Sequence, residues 1–492
     1  MAARPNILFL LNDHQAYYRH GWDGGPIVRR PYFDQLASEG VSFNRCYCPS
    51  PLCGPVRRSL LTGLYPHAHG ETKNNVDAPF AQETLPEMLA RAGYRNYHFG
   101  KWHAGPGTAM DHACEGYCPP GYANPYITPE YDEYLKKYNL PPALHLIEQT
   151  YEPATNLKGE PNPMHAGWIG RFLKNNLQEN CCGLTLTPKE THEAFFLAQL
   201  ACDQLMKIAS QKNSEPFCMQ VHFWGPHQPF FPTWEYASQY NPDDIPEYGN
   251  FADDLSTKPE HYRMEQCPPL SEKKRLIVPN PLPWSEWART LARVYAHITM
   301  VDDAGGMILN RLEELGLTQN TLVIWTTDHG DAVACHGGHF NKQSYMPEEM
   351  VRVPLAIRYP GEIQEGATSE ALVDLLDVPA TILQAGGTSF PDPIHGESLL
   401  PLCRGEQKHW RKDMLIETHG MGPNDSHVGR LVVNERYKYV WNPGEIEELY
   451  DLQEDPYELK NLWNDPTHQS LLEHMRERLK YWQESTNDPI RM

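Results

Sequence analysis

The stretch CYCPSPLCGPVRRSLLTG, Cys46 to Gly63, sets three cysteines close together and follows them with a pair of arginines. Three chemistries compete for it: metal ligation, a disulfide, and a single reactive sulfur. Cys46 and Cys48 form a C-x-C pair, but no second pair with zinc-finger spacing lies nearby. Cys53 differs in its downstream neighbours: Gly54, Pro55, Val56 and Arg57, then the apolar SLLTG of a short helix. A cysteine just before a helix start sits where free backbone N–H groups attract an anion. Arg57, one helical turn on, shares that face and can reach the same anion.

Other polar groups stand directly after apolar runs. PFCMQVHFWG and TLVIWTTDHG each end in polar, functional-looking residues. Carboxylates at Asp13 and Asp328 suit a divalent cation bound through oxygen. Arg57, Lys101 and Lys342 would add cationic donors around a bound anion.

Structural readings compete for several of these residues. A histidine after a strand often only hydrogen-bonds, Asp328 can cap a helix, and Asn74 and Asn75 fit a plain turn as well as an anion contact. Cys335, His336 and His339 look like a metal cluster, although a structural role fits their loop better. Cys181 and Cys182 read as inert, and Asp302 as a packing support. Trp102, Trp224 and Tyr117 can stack on a sugar or aryl group or simply belong to core or rim.

These residues need a scaffold that gathers strand ends. NILFLL, RNYHFG, PFCMQVHFWG and TLVIWTT read as buried strands, separated by helical segments such as FDQLASEG and TLPEMLARAGY. Leu291, Val294, Ile298 and Val301 follow helical spacing. Alternating strands and helices predict a large, mostly parallel sheet flanked by helices, with its site beyond the carboxyl ends of the strands. Segments near 105–185 and 228–284 are rich in Pro, Tyr and acidic residues and are expected to be long loops bordering a pocket. Past residue 370, GRLVVNERYKYVWNPGEIEELYDL alternates as an antiparallel sheet does. The expected division is a catalytic α/β domain over 1–370 and a smaller α+β subdomain over 371–492.

The chain of 492 residues carries a net charge of −21, which argues against nucleic acid or an anionic membrane as partner. An anionic substrate therefore requires a positive potential built locally. Twelve cysteines are ordinary for this length, no leader or membrane-length apolar run is evident, and a cytoplasmic protein with reduced thiols is expected.

The motif C-x-P-x-R followed by SLLTG resembles the signature of the type I sulfatases of the alkaline phosphatase superfamily, and only Cys53 fits it. The other parts come in family order: NILFLLNDHQ, PYFDQLASEGVSFNRCY, GKWHAG, HFWGPHQPF, TTDHGDAVACHGGHFNKQSYMPEEMVRVPL and ELYDLQEDPYELKNL. The resemblance implies an alkaline-phosphatase-like fold and hydrolysis of a sulfate monoester, on a small molecule or a carbohydrate. It also implies that a maturation enzyme oxidises Cys53 to formylglycine. One hydroxyl of the hydrated aldehyde would attack sulfur, His227 with Lys342 would protonate the departing alcohol, and His103 would deprotonate the second hydroxyl to expel sulfate. Asp13, His14, Cys53, Asp328 and His329 would surround one divalent ion, with Arg57 and Lys101 beside the anion.

Three departures accompany the resemblance. His14 stands where many members carry a second Asp, His329 where Asn is frequent, and Gly54 and Val56 where small hydroxyl residues are usual. Calcium is the expected ion, and two nitrogen ligands would move the preference toward manganese or zinc. A phosphonate monoester or phosphodiester hydrolase of the same superfamily is the alternative, disfavoured by Lys101 and His103. A non-catalytic metal-binding relative with unconverted Cys53 is the third reading. The natural substrate is not encoded in any legible pattern of the chain, and a homo-oligomer is compatible with the sequence.

Overall fold

The computed structural model describes residues 4–17, 28–152, 165–172, 179–211, 215–406, 409–422 and 425–492. Its centre is an eight-stranded sheet. The strands are β1 (Asn6–Asp13), β2 (Val41–Tyr47), β3 (Arg95–Gly100), β4 (Cys114–Tyr117), β5 (Phe217–Pro226), β6 (Thr321–Thr327), β7 (Arg352–Arg358) and β8 (Ala367–Asp374). Their spatial order is β8-β2-β7-β6-β1-β5-β3-β4. Only β7 runs against its neighbours β6 and β2, so the sheet is mixed and mostly parallel, as expected.

The central strands β1, β5 and β6 are apolar along nearly their whole length because both faces are covered. Helices fall into two mutually packed groups. One joins α1 (Pro31–Ser38), Glu193–Ala209 and the long helix Trp284–Glu314; the other joins α2 (Cys53–Thr62), Leu85–Arg91 and Asp377–Ala385. Leu291, Val294, Ile298 and Val301 are all buried along the long helix, as their spacing predicts.

Parallel pairing aligns the carboxyl ends that matter. Asn12 lies opposite Thr327 in the β1/β6 register, which sets Asp13 beside Asp328. Backbone bonds from Asp328 N to Asn12 O (3.2 Å) and Gln15 N to His329 O (2.9 Å) continue the pairing beyond the strands. β5 delivers His227 and β3 delivers Lys101 and His103 at the same edge of the sheet.

Two expectations need correction. The segments near 105–185 and 228–284 are not plain loops: they hold the helix Pro129–Tyr138, a three-stranded antiparallel sheet (His145–Thr150, Ile169–Gly170, Cys181–Thr185) and a hairpin of Ser271–Glu272 with Arg275–Leu276. Much of their burial is aromatic, with Tyr131 and Tyr134 against Phe196, and the buried aliphatic residues such as Ile147, Leu255 and Leu270 are widely spaced, so no apolar periodicity announces them. Residues 153–164 and 173–178 of the first segment lie outside the described residues. The 370/371 boundary falls inside β8, so the large sheet runs past it.

The expected antiparallel C-terminal sheet is present, with strands Asp413–Thr418, Gly429–Asn434, Tyr437–Trp441 and Glu448–Asp451 in sequence order. The helix Gln469–Ser485 covers it, burying Leu472, Met475 and Leu479 against Leu415, Val432 and Tyr439. No helix among the described residues is long and apolar enough to cross a membrane.

Asp302 supports packing in a specific way. Its two carboxylate oxygens accept from Tyr32 N and Phe33 N, both at 2.9 Å, and so cap α1 from the long helix. Asp302→Ala should cost roughly 1–2 kcal/mol of stability, as loss of a helix cap does, read as a lower urea midpoint; an unchanged midpoint would show that the cap contributes nothing.

Candidate active site

The helix α2 begins at Cys53 itself, not after it, with Leu52 extended at the cap position and Gly63 closing the helix in the left-handed region. All ten helix residues are buried, so the helix is part of the core and its N-terminus is fixed. Gly54 N donates to Asn74 Oδ1 at 2.9 Å, and a Cβ on Gly54 would stand 3.0 Å from that oxygen. The glycine where a hydroxyl residue is usual therefore leaves room for a capping asparagine.

Arg58, which the sequence reading did not single out, ties this helix to its surroundings. It donates to Ala104 O and Ala78 O, each at 2.7 Å, and lies over the Phe80 ring. It thereby holds both the Lys101–His103 loop and the Asn74–Asn75 turn.

Cys53 Sγ stands 3.0 Å from His329 Nε2, 3.0 Å from Lys342 Nζ and 3.5 Å from Asp13 Oδ1. It opens into a cavity of about 860 Å³ whose lining includes Asn75, His103, Tyr122, His227 and Lys342. The sequence-predicted residues thus converge, but not all on the cavity. Arg57 is buried behind the carboxylates: its Nε donates to Asp328 Oδ2 at 2.9 Å and its Nη2 lies 3.7 Å from Asp13. The expectation that Arg57 reaches the anion gives way to an ion pair with the carboxylates, because the spacing fixed its face but not its partner. Lys101 pairs with Asp13 and lies over the Tyr122 ring.

His14 also departs from its expected place. It sits between the rings of His227 and His329, with its Nε2 3.3 Å from Asp331 Oδ1, and is not among the groups that converge on Cys53. His14 and His103 both adopt the left-handed backbone region, at φ 65° and 46°. Such residues cost roughly 1–3 kcal/mol each and cluster at functional sites.

Hydrogen bonds fix the proton positions. Gly330 O accepts from His329 Nδ1 at 2.8 Å, which leaves Nε2 as the atom facing Cys53; against burial, Asp328 and Cys53 hold this ring above the usual histidine range, toward the form in which Nε2 also carries a proton. Gln228 O accepts from His227 Nδ1 at 2.7 Å, leaving His227 Nε2 to accept from Lys342 Nζ at 3.2 Å. His103 donates Nε2–H to Asn75 Oδ1 at 3.3 Å, and its buried Nδ1 has no partner.

Electrostatics follow from this packing. Burial, then Asp328 and Cys53, push Asp13 up to about 7, while Asp328 stays below its usual range because His329 and Arg57 outweigh its burial. Burial and Lys342 hold His227 well below the usual histidine range, and burial also lowers His103. Burial opposes ionisation of Cys53, but Lys101, Lys342 and His329 overcome it and hold the thiol well below its ordinary value.

Asp13, Cys53, Asp328 and His329 each offer one ligand atom, all within 4.8 Å of one another and all buried. Two buried carboxylates and an imidazole nitrogen beside them fit a divalent cation, which would take the place of the His329 Nε2 proton and relieve the upward push on Asp13.

The remaining candidates are structural. Asn74 and Asn75 both line the cavity while bonding Gly54 and His103. His336 pairs with Asp253 and Glu349, His339 with Glu265, and Cys335 Sγ donates to Val333 O, so the three do not form one cluster. Cys181 and Cys182 are buried in the accessory sheet. Trp102 packs on His112, Trp224 donates to Tyr122 O and Tyr117 bonds Thr128; none lines the cavity. The sequence reading missed Tyr122, Glu152, Glu179 and Asn180 on the cavity wall, which come from segments without periodicity.

Residues 5–388 match the family model described as Sulfatase, and residues 336–485 match N-sulphoglucosamine sulphohydrolase, C-terminal. The uncharacterized sulfatase YidJ of Escherichia coli is 30% identical over 495 residues, covering 99% of this chain and 89% of that protein. An N-acetylglucosamine-6-O-sulfatase of Bacteroides thetaiotaomicron is 27% identical, over 99% and 88% of the two chains. Among solved structures, BT4656 in complex with its substrate D-glucosamine-2-N,6-O-disulfate superimposes with a TM-score of 0.72 at 22% identity, over 99% of both chains. The phosphonate monoester hydrolase of Agrobacterium radiobacter gives 0.74 at 22%, over 98% and 96%. These two share the fold.

In protein made without conversion of Cys53, alkylation by iodoacetamide should remain fast well below the ordinary thiol pKa of about 8.5. Lys342→Met should move the onset upward; a wild-type profile centred near the ordinary value would contradict the depressed pKa.

Proposed function

This chain belongs to the sulfatase family of sulfuric ester hydrolases, and we propose that it hydrolyses a carbohydrate sulfate monoester to an alcohol and inorganic sulfate at the Cys53 centre. The observation that carries this reading is the convergence of Lys342, His227 and His103 with Cys53 on one cavity, while Asp13, Asp328 and His329 gather around the same sulfur. A carbohydrate is supported by the names of similar sulfatases and by a polar cavity wall that includes Asn75, Asn124 and Asn180.

Conversion of Cys53 to formylglycine by a maturation enzyme would supply a hydrated aldehyde, one hydroxyl as nucleophile and the other for release of sulfate. A divalent ion held by Asp13, Asp328 and His329 would add positive charge against the sulfate oxygens. Calcium suits two carboxylates with a single nitrogen; manganese or zinc would gain from a second nitrogen, but His14 is turned toward Asp331.

The chain's own residues divide the proton work. Lys342 carries the proton and shares it with neutral His227, whose Nδ1–H is fixed on Gln228 O, so the pair can deliver it to the departing alcohol oxygen. His103 presents an unpartnered Nδ1 and can accept a proton in the release step, while Asn75 fixes its tautomer. Arg57 and Lys101 hold the two carboxylates in place.

In protein from its native host, the tryptic peptide Cys46–Arg57 should show loss of the Cys53 sulfur and gain of a carbonyl by mass spectrometry; an intact thiol would overturn the formylglycine reading. Aryl sulfate should be turned over faster than aryl phosphonate, and a large phosphonate preference would move the enzyme to the alternative class.

His227→Ala should lower kcat on alkyl sulfates by roughly 10²–10⁴, as loss of a general acid does. The effect should be far smaller on 4-nitrophenyl sulfate, whose leaving group needs no proton; equal losses on both would remove His227 from that role. Asp13→Asn should lose the ion by elemental analysis together with turnover.

A further inference from the structure

Glu152 and Glu179 line the catalytic cavity but take no part in the proton work described above. They flank the paired strands His145–Thr150 and Cys181–Thr185 of the accessory sheet. Thr150 lies across from Cys181, Asn180 O accepts from Tyr151 N at 2.7 Å, and Glu152 Oε1 accepts from Asn180 N at 3.0 Å. This pairing brings both carboxylates to one end of the sheet. Like charges on facing strands repel. Burial, then Cys53 and Glu152, push Glu179 above its usual range against the pull of Lys342 and Lys101. Among the described residues, no hydrogen bond or ion pair holds the Glu179 carboxylate. Two repelling carboxylates on a cavity wall are unfavourable for the empty protein and suited to a ligand that brings hydrogen-bond donors.

The rest of the lining says which ligands those are. Lys342 is the only Lys or Arg on the cavity wall among the described residues, and it is engaged with Cys53 Sγ and His227 Nε2, where the ester sulfate must sit. His103, 8% exposed, lines the same cavity with an unpartnered Nδ1. The remaining polar lining includes the neutral amides of Asn124, Asn180 and Asn341. A second sulfate or a carboxylate on the substrate would therefore meet two carboxylates and no further cation. A hydroxyl or a protonated amine would meet free acceptors.

Resting on the sulfatase reading above, we propose that Glu152 and Glu179 are specificity-determining residues, which restrict this site to sulfate esters without a second anionic group and favour those that carry an amine. The selectivity is set by repulsion as much as by attraction. It assigns the substrate class as singly sulfated sugars whose other groups are hydroxyls or a free amine, and it sets aside sugars with a neighbouring uronate or a second sulfate.

The test compares three phenyl sulfates that carry an aminoethyl, a hydroxyethyl or a carboxyethyl group at the meta position, so that charge changes while the leaving phenoxide stays nearly the same. The full-length enzyme with Cys53 converted should show kcat/KM falling in that order, with the carboxyethyl compound about 10-fold or more below the hydroxyethyl one. Glu179→Gln and Glu152→Gln should each narrow that ratio, and Glu179→Lys should reverse it. Glutamine at 152 keeps an acceptor for Asn180 N, and a merely structural role for either carboxylate would lower all three values together. A carboxyethyl compound turned over as fast as the hydroxyethyl one, or a ratio that the substitutions leave unchanged, would overturn the selectivity. No sulfate release from any of the three would fall on the sulfatase reading itself and take this inference with it.

Discussion

Two carboxylates are forced together by strand register. Because Asn12 pairs with Thr327, the next residue on each strand, Asp13 and Asp328, emerges beside the other at the carboxyl edge of the sheet, fully buried. Two like charges about 4 Å apart repel by about 4 kcal/mol even at an effective dielectric of 20, and burial adds to that. Much of the surrounding architecture can be read as compensation: Arg57 from α2 pairs with both carboxylates, Lys101 from the end of β3 pairs with Asp13, and backbone N–H groups of His14 and His329 donate to Asp328. Removing one cation would leave a buried charge unpaired, which is more costly than never having buried it.

This compensation divides the cationic residues by depth. Arg57 and Lys101 neutralise the carboxylates from behind and do not line the cavity, whereas Lys342 faces it. A protein of net charge −21 thus presents a positive pocket floor without a basic surface. The wall above adds Glu152 and Glu179. Burial raises Glu179 above its usual range against the pull of Lys342 and Lys101. The cavity lining therefore carries both signs of charge, with Lys342 beside Cys53 and Glu152 and Glu179 elsewhere on the wall.

How much of this was legible in the sequence depends on what each residue answers to. Asp13, Asp328, His227 and the Lys101–His103 pair were legible through motifs that resemble those of the sulfatases, and each motif closes a strand whose end meets the others at one edge of the parallel part of the sheet. Arg57 was placed on the correct helical face but with the wrong partner, since spacing gives direction and not the competing carboxylate. His14 was read beside Asp13 as a ligand, yet its left-handed backbone turns it to Asp331. Tyr122, whose hydroxyl lies 3.2 Å from His227 Nδ1, had no signal at all, because it comes from a Pro- and Tyr-rich segment whose structure depends on long-range aromatic packing. The helix Pro129–Tyr138 was hidden for the same reason, although Thr128 caps it and Asn139 ends it in the left-handed region.

The burial of α2 also constrains when Cys53 can change. Cys53 is 1% exposed, its helix is buried along its whole length, and Arg58 and Asn74 bind that helix to two loops. Any enzyme acting on Cys53 would have to reach a sulfur that is almost fully buried, beside an Arg57 locked against Asp328 and Asp13. Exposing it would mean breaking those ion pairs and lifting a core helix, which is close to unfolding the domain. The proposed conversion of Cys53 therefore belongs before β1 and β6 pair, while the chain is still open. The packing that makes the centre rigid enough for chemistry also leaves Cys53 open to small molecules through the cavity and closed to another protein's active site.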